Sequence, residues 1–191
     1  MKAVERFRQT RETEVRLRLD LAGGEVRVKS PVGFLKHMLE ILAYHAGWGL
    51  DLEAQGDVEV DAHHTVEDTG IVLGEALEEA LEERQGIFRY GEATVPMEEA
   101  LAQAVVDLAR RPFFRFEGRF PREKVGDFDL ELIPEFLKAL AMHGRFTLHV
   151  RLFYGENAHH MAEAVFKALA YALRQALSPA GKEPRSTKGL L

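Results

Sequence analysis

The sequence predicts an α+β fold built by internal duplication, on three observations. Stretches of alternating polar and apolar residues give way to stretches with a helical stripe, and this order occurs twice. Leu42-Ala43-Tyr44-His45-Ala46-Gly47-Trp48 lies in register with Leu140-Ala141-Met142-His143-Gly144-Arg145-Phe146. The turn His63-His64-Thr65-Val66-Glu67 returns as His159-His160-Met161-Ala162-Glu163. The halves are expected at residues 1–92 and 93–191, the second carrying the C-terminal tail, joined in one compact unit.

In the first half, residues 12–21 alternate Val15, Leu17, Leu19 and Leu21 with charged residues, the period of a half-exposed strand. Gly23-Gly24 makes a turn and residues 25–29 alternate again, so a hairpin is expected. After Ser30-Pro31 the period changes: Phe34, Leu35, Met38, Leu39, Ile41 and Leu42 trace a helix that stops at Gly47. A weak strand over 50–59 leads to a helix from the first His-His pair to about residue 84. Gly70 and Gly74 sit four apart within it, which permits close helix packing.

In the second half, residues 104–116 read as strand broken at Pro112, and 119–127 as a polar connection. Leu130, Ile133, Phe136, Leu137 and Leu140 give a helix ended by Gly144, with Pro134 in its first turn or at a kink. Residues 147–153 alternate as strand, and a helix over 159–177 follows the second His-His pair. Residues 178–191 have no periodicity.

A hydrophobic content of 46% supports a real core, and a formal net charge of −6 argues against a non-specific nucleic-acid binder, which needs a basic stripe. Without cysteine, only imidazole, carboxylate and water remain as metal ligands, as suits a reducing compartment. The first residues lack the apolar run of a signal peptide, and no apolar stretch approaches the length of a membrane span. A cytoplasmic protein without nucleic-acid or membrane partners is expected.

The doubled turn carries the chemistry. On a helix, His63 (i, i+4) and His64 (i, i+3) both neighbour Glu67, yet consecutive side chains point about 100° apart. One ion cannot easily take both imidazoles, so each His suits a different ion. The repeated turns use four of only eight histidines in the chain. The duplication register also sets His37 on Glu135, one ligand-type residue on the first helix of each half. Pseudo-twofold coordination then gives two equivalent sites: His63, Glu67, His160 and Glu135 for one ion, and His159, Glu163, His64 and His37 for the other. Nothing requires one chain to close them. Ligation without sulfur suits manganese, iron(II) or zinc, and four protein ligands leave room for substrate at an octahedral ion. Besides a catalytic pair, the pattern fits a binuclear Mn or Zn hydrolase with a bridging hydroxide, or a metal-stapled assembly or storage protein.

Four runs together resemble imidazoleglycerol-phosphate dehydratase of histidine biosynthesis. They are Gly33-Phe34-Leu35-Lys36-His37-Met38-Leu39, Asp61-Ala62-His63-His64-Thr65-Val66-Glu67-Asp68, Asn157-Ala158-His159-His160-Met161-Ala162-Glu163-Ala164 and Ser186-Thr187-Lys188-Gly189. The resemblance spans about residues 8–191. It implies a hydro-lyase that converts imidazole glycerol phosphate to imidazole acetol phosphate through a metal-bound imidazolate, with two Mn2+ per active site. It implies two sheets with their helices packed face to face between them, and a homo-oligomer, a 24-mer with sites at subunit interfaces. It carries over Glu12 as the acid/base, completing a catalytic set with His64, Glu67, His160 and Glu163. It carries over His45 as a substrate contact, and Arg89, Arg111, Lys167, Ser186 and Lys188 as phosphate partners. His143 and His149 are left as core or surface histidines. The chain departs from the pattern at Lys36, where the family usually has Asp, at Glu135, commonly His, and at Ile41, often Gln.

Overall fold

A computed structural model of the chain describes residues 3–82 and 84–181. The chain opens with β1 (Val4–Gln9), which pairs antiparallel with β2 (Thr13–Asp20). Strand β2 buries Val15, Leu17 and Leu19 and turns Arg16 and Arg18 to solvent, as its alternation dictates. The expected hairpin at Gly23-Gly24 does not form. Strand β3 (Val26–Lys29) is separated from β2 by β4 (Gly49–Gly56), antiparallel to β2 and parallel to β3. Parallel neighbours need a crossover, and α1 (Gly33–Ala46) supplies it. The two glycines serve a close crossing instead of a hairpin: a Cβ placed on Gly49 would stand 2.8 Å from the Gly23 carbonyl oxygen.

Helix α2 (His63–Leu81) completes the first set, and the second repeats it. Strands β5 (Tyr90–Met97), β6 (Ala100–Asp107) and β7 (Phe113–Glu117) are followed by a small hairpin of β8 (Lys124–Val125) and β9 (Phe128–Asp129). Then come α3 (Leu132–His143), β10 (Thr147–Tyr154) and α4 (Ala158–Ala176). The sheet orders β1-β2-β4-β3 and β5-β6-β10-β7 match, each with one parallel pair at its edge. The stretch expected as one broken strand over 104–116 is two strands on opposite sides of β10, because Pro112 and the residues before it carry the chain across the sheet. Strand β5 escaped the pattern because it is an edge strand with only half-buried Ala93, Val95 and Met97, and Pro96 within it. Pro134 falls in the first turn of α3, where its missing N–H costs nothing.

The helices lie between the two sheets, and each half's first helix packs on the other half's second: α1 on α4, and α2 on α3. One apolar core runs through all layers, from Leu17 and Leu52 through Leu39, Leu73, Phe136 and Phe166 to Val106 and Leu148. Gly70 and Gly74 make the α2–α3 approach close. A Cβ on Gly70 would stand 2.8 Å from the Phe136 carbonyl oxygen, and one on Gly74 2.8 Å from that of Leu140. This crossed pairing brings the start of α1 to the start of α4.

Candidate metal centre

Both His-His pairs open a helix, and the same local device fixes both. Asp61 Oδ1 accepts from the His63 backbone N–H at 2.7 Å, and Asn157 Oδ1 from that of His159 at 2.9 Å. A short side-chain acceptor two residues upstream satisfies one of the unpaired donors of the first turn and anchors the imidazoles. The start of α1, the segment leading into α2 and the start of α4 line one cleft of about 660 Å³, with Phe34, His37, Asp61, Ala62, Phe128 and His159 among its walls. Phe34 packs between Phe128 of the small hairpin and the edge of the His159 ring, with ring centroids 5.0 and 5.2 Å away.

Three predicted ligands converge. His37 Nε2 from α1 lies 3.4 Å, and His159 Nε2 3.1 Å, from the same oxygen of Glu163 on α4. Donor atoms of these three residues all lie within 4.8 Å of one another, as a shared cation requires. Lys167, one turn further on, donates to the other Glu163 oxygen at 2.6 Å. Burial raises the Glu163 pKa, but the Lys167 ammonium and the facing imidazoles outweigh it and hold the carboxyl below its ordinary value. His45 Nδ1 meets the Tyr171 hydroxyl at 3.1 Å, and burial, helped by Lys167, lowers its pKa.

Among the described residues, the remaining predicted ligands stand apart from this trio. His63 Nε2 and Glu67 are 4.0 Å apart. Glu135 on α3 pairs with Lys138 at 3.4 Å. His64 turns Nδ1 to both oxygens of Asp57, at 3.1 and 3.2 Å, and His160 turns Nδ1 to Glu99 Oε2 at 2.9 Å. These carboxylates raise the pKa of each imidazole, and the His160 contact, together with backbone N–H groups, pulls Glu99 down to about 2. Glu12, in the turn between β1 and β2, is exposed and adds its negative field at His64.

The cations expected for phosphate divide between two places. Lys167 stands at the trio. Arg89 and Arg111 both engage Asp107, Arg89 through Nε at 2.7 Å and Arg111 at 3.0 Å. Asp107 ends β6, whose other end adjoins Glu99 and His160, so the strand sets this arginine pair about 24 Å from His160 at ~3.4 Å per strand residue. Ser186 and Lys188 lie outside the described residues. Sequence reasoning missed Asp57 and Glu99. Asp57 follows a weak strand with no pattern of its own. Glu99 sits in the β5–β6 turn beside Glu98 at φ +49°, and became visible only once β5 was.

The imidazoleglycerol-phosphate dehydratase family pattern matches residues 30–173. The chain is 53% identical over 187 residues to imidazoleglycerol-phosphate dehydratase of Geobacillus sp. (strain WCH70), covering 96% of each chain. It is 50% identical over 194 residues to that of Bacillus subtilis (strain 168), covering all of both. The crystal structure of the enzyme from Staphylococcus aureus subsp. aureus N315 superposes with a TM-score of 0.86 at 38% identity, over 94% of this chain and 100% of that one. The structure of the Pyrococcus furiosus protein superposes with a TM-score of 0.86 at 36% identity, over 97% of this chain and 100% of that one. The chain belongs to the imidazoleglycerol-phosphate dehydratase family.

Proposed function

We propose that this hydro-lyase of histidine biosynthesis removes water from imidazole glycerol phosphate, giving imidazole acetol phosphate, at a site holding two Mn2+ ions. The observation that carries the reading is the convergence of His37 and His159 on Glu163, a sulfur-free donor set fitted to a hard or borderline divalent ion. His63, Glu67 and Glu135 supply the matching set of the other half, and His64 and His160 complete the two sets. Arg89 and Arg111, far along β6 from His160, support assembly of each site from more than one subunit, for which a 24-mer is the arrangement we favour. When bound, the ions supply Lewis acidity toward the substrate ring and hydroxyl.

The hydroxyl to be lost sits on the carbon next to the imidazole, and the proton to be lost sits on the following carbon, where it is too weakly acidic for a side chain alone. Glu12 takes it as a general base and, as acid, returns a proton to the hydroxyl, which leaves as water to give the enol of the ketone; its carboxylate is exposed and free of hydrogen bonds among the described residues. Lys167, Arg89 and Arg111, with Ser186 and Lys188 of the tail, hold the substrate phosphate through charge-assisted hydrogen bonds. His45, held by Tyr171, contacts the substrate beside Lys167. No helix among the described residues is long and apolar enough to cross a membrane; we place the enzyme in the cytoplasm.

Purified protein supplied with Mn2+ should convert imidazole glycerol phosphate to the ketone, read as the enolate absorbing in alkali. Absence of turnover by metal-replete, assembled protein would overturn the reading.

A further inference from the structure

The duplication assigns equivalent places to two pairs of carboxylates. Asp20 faces Gly49 as Asp107 faces Thr147, so stepping back along β2 and β6 makes Thr13 equivalent to Ala100 and Glu12 to Glu99. At the far end of the neighbouring strands, Thr13 faces Gly56, while a bulge in β10 sets Tyr154 against Leu101 and so Gly155 beside Ala100. The two glycines match in surroundings as well. A Cβ on Gly56 would run into Thr65, and one on Gly155 into Met161, in each half the residue after the second His. Asp57 and Glu156, which follow these glycines, are therefore counterparts. Their backbone N–H groups keep the parallel: Asp57 N donates to the Glu12 backbone oxygen at 3.1 Å, and Glu156 N to Glu99 Oε1 at 3.2 Å.

The two halves use these places in opposite ways. In the first, the strand-end carboxylate Asp57 holds His64 and the turn carboxylate Glu12 is free. In the second, the turn carboxylate Glu99 holds His160 and the strand-end Glu156 is exposed without a side-chain hydrogen bond among the described residues. An ionised carboxylate only accepts, so each contact places the proton on Nδ1 and leaves Nε2 as the bare donor atom. Glu98, Glu99 and His160 also form a group compact enough to hold an ion. Glu99 is already committed to N–H donors on both oxygens, however: Glu156 N and Asn157 N (2.7 Å) on Oε1, and His160 on Oε2.

We infer that Asp57 and Glu99 are positioning residues that fix the tautomer and direction of His64 and His160 for divalent-ion binding through Nε2, and that Asp57, by holding His64, leaves Glu12 free to meet substrate. The inference rests on the metal reading above. Each carboxylate acts through its imidazole, as partners of ligating histidines generally do.

The test is titration of chelator-stripped full-length protein with Mn2+ alone, with free ion read by electron paramagnetic resonance and folding by the melting temperature without metal. Asp57→Ala and Glu99→Ala should each weaken one class of Mn2+ sites by ~10–100-fold, the loss typical when such a partner is removed. Asp57→Asn should recover most of the affinity, because its amide oxygen accepts the same N–H bond. Glu156→Ala should titrate as the parent does. Alanine variants that bind Mn2+ like the parent would overturn the inference, as would an Asp57→Asn variant as weak as Asp57→Ala, or a Glu156→Ala loss equal to that of Glu99→Ala. A parent that takes up no Mn2+ would instead overturn the metal reading, and this inference with it.

Discussion

His37 on α1 reaches Glu163 on α4, 126 positions further along the chain, with Nε2 3.4 Å from the carboxylate. The contact exists because the first helix of one half packs on the second helix of the other, so the duplication itself builds the donor set. Glu163→Gln keeps the shape but removes the negative charge that His37, His159 and Lys167 share. We expect Mn2+ affinity to fall by at least ~10-fold and kcat/KM by at least ~100-fold, as for loss of a charge-stabilising group. Calorimetric Mn2+ titration beside steady-state kinetics checks both.

Glu12 is assigned to proton transfer and not to metal binding, so its removal should separate the two. Glu12→Gln should lower kcat by ~10²–10⁴-fold, the usual contribution of a positioned acid or base. Mn2+ stoichiometry and oligomer mass should match the parent. Parallel activity assays, metal analysis and light scattering make the comparison.

Metal removal should act on stability as well as on turnover. An ion that binds only the folded chain stabilises it by mass action, about 2.7 kcal/mol at a hundredfold excess over Kd. Dialysis against a chelator should therefore abolish activity and lower the melting temperature. Graded Mn2+ should restore both together, with Mg2+ less effective at imidazole-rich sites.

The legible parts of this chain were those written in local periodicity or repeated outright. The strand of Val15, Leu17 and Leu19, the helices opening at His63 and His159, and the Gly70–Gly74 contact follow from residues near one another in sequence. Strand partners are decided by distant packing, and there the sequence misled: Gly23-Gly24 looks like a hairpin turn but crosses over Gly49. The same limit hid Asp57 and Glu99. Each meets its histidine through loop geometry, and Glu99 aligns with Glu12 only after β5 and β6 are recognised as a hairpin.

Helix α2 approaches α3 over bare glycine, so side-chain bulk there should be costly. A Cβ on Gly74 would stand 2.7 Å from the Gly144 backbone N and 3.0 Å from the His143 Cβ, atoms that cannot swing aside. Gly74→Val should destabilise the chain by at least ~1–3 kcal/mol, the usual cost of overpacking, outweighing the better helix propensity of valine over glycine. Chemical denaturation of metal-free protein measures it, with Gly126→Ala, in an open turn, as a comparison for strain without crowding.

Asp107 receives Arg89 in two hydrogen bonds, at 2.7 and 3.1 Å, and Arg111 in a third at 3.0 Å. Burial alone would raise its pKa, but the two guanidinium groups prevail and hold it below the ordinary carboxylate value. A carboxyl lowered in the folded state contributes stability that is fully present above its unfolded pKa, near ~3.9, and is lost as pH falls through the lower folded value. Asp107→Asn should therefore cost about 1.5–3 kcal/mol at pH 7, the range for hydrogen bonds to a charged group. The cost should shrink as pH falls below the unfolded value and through the lower folded one, as the parent protonates. Denaturant midpoints of parent and variant, from pH 7 down until the parent's Asp107 is protonated, give this directly. A penalty unchanged across that range would mean that Asp107 acts by shape rather than by charge.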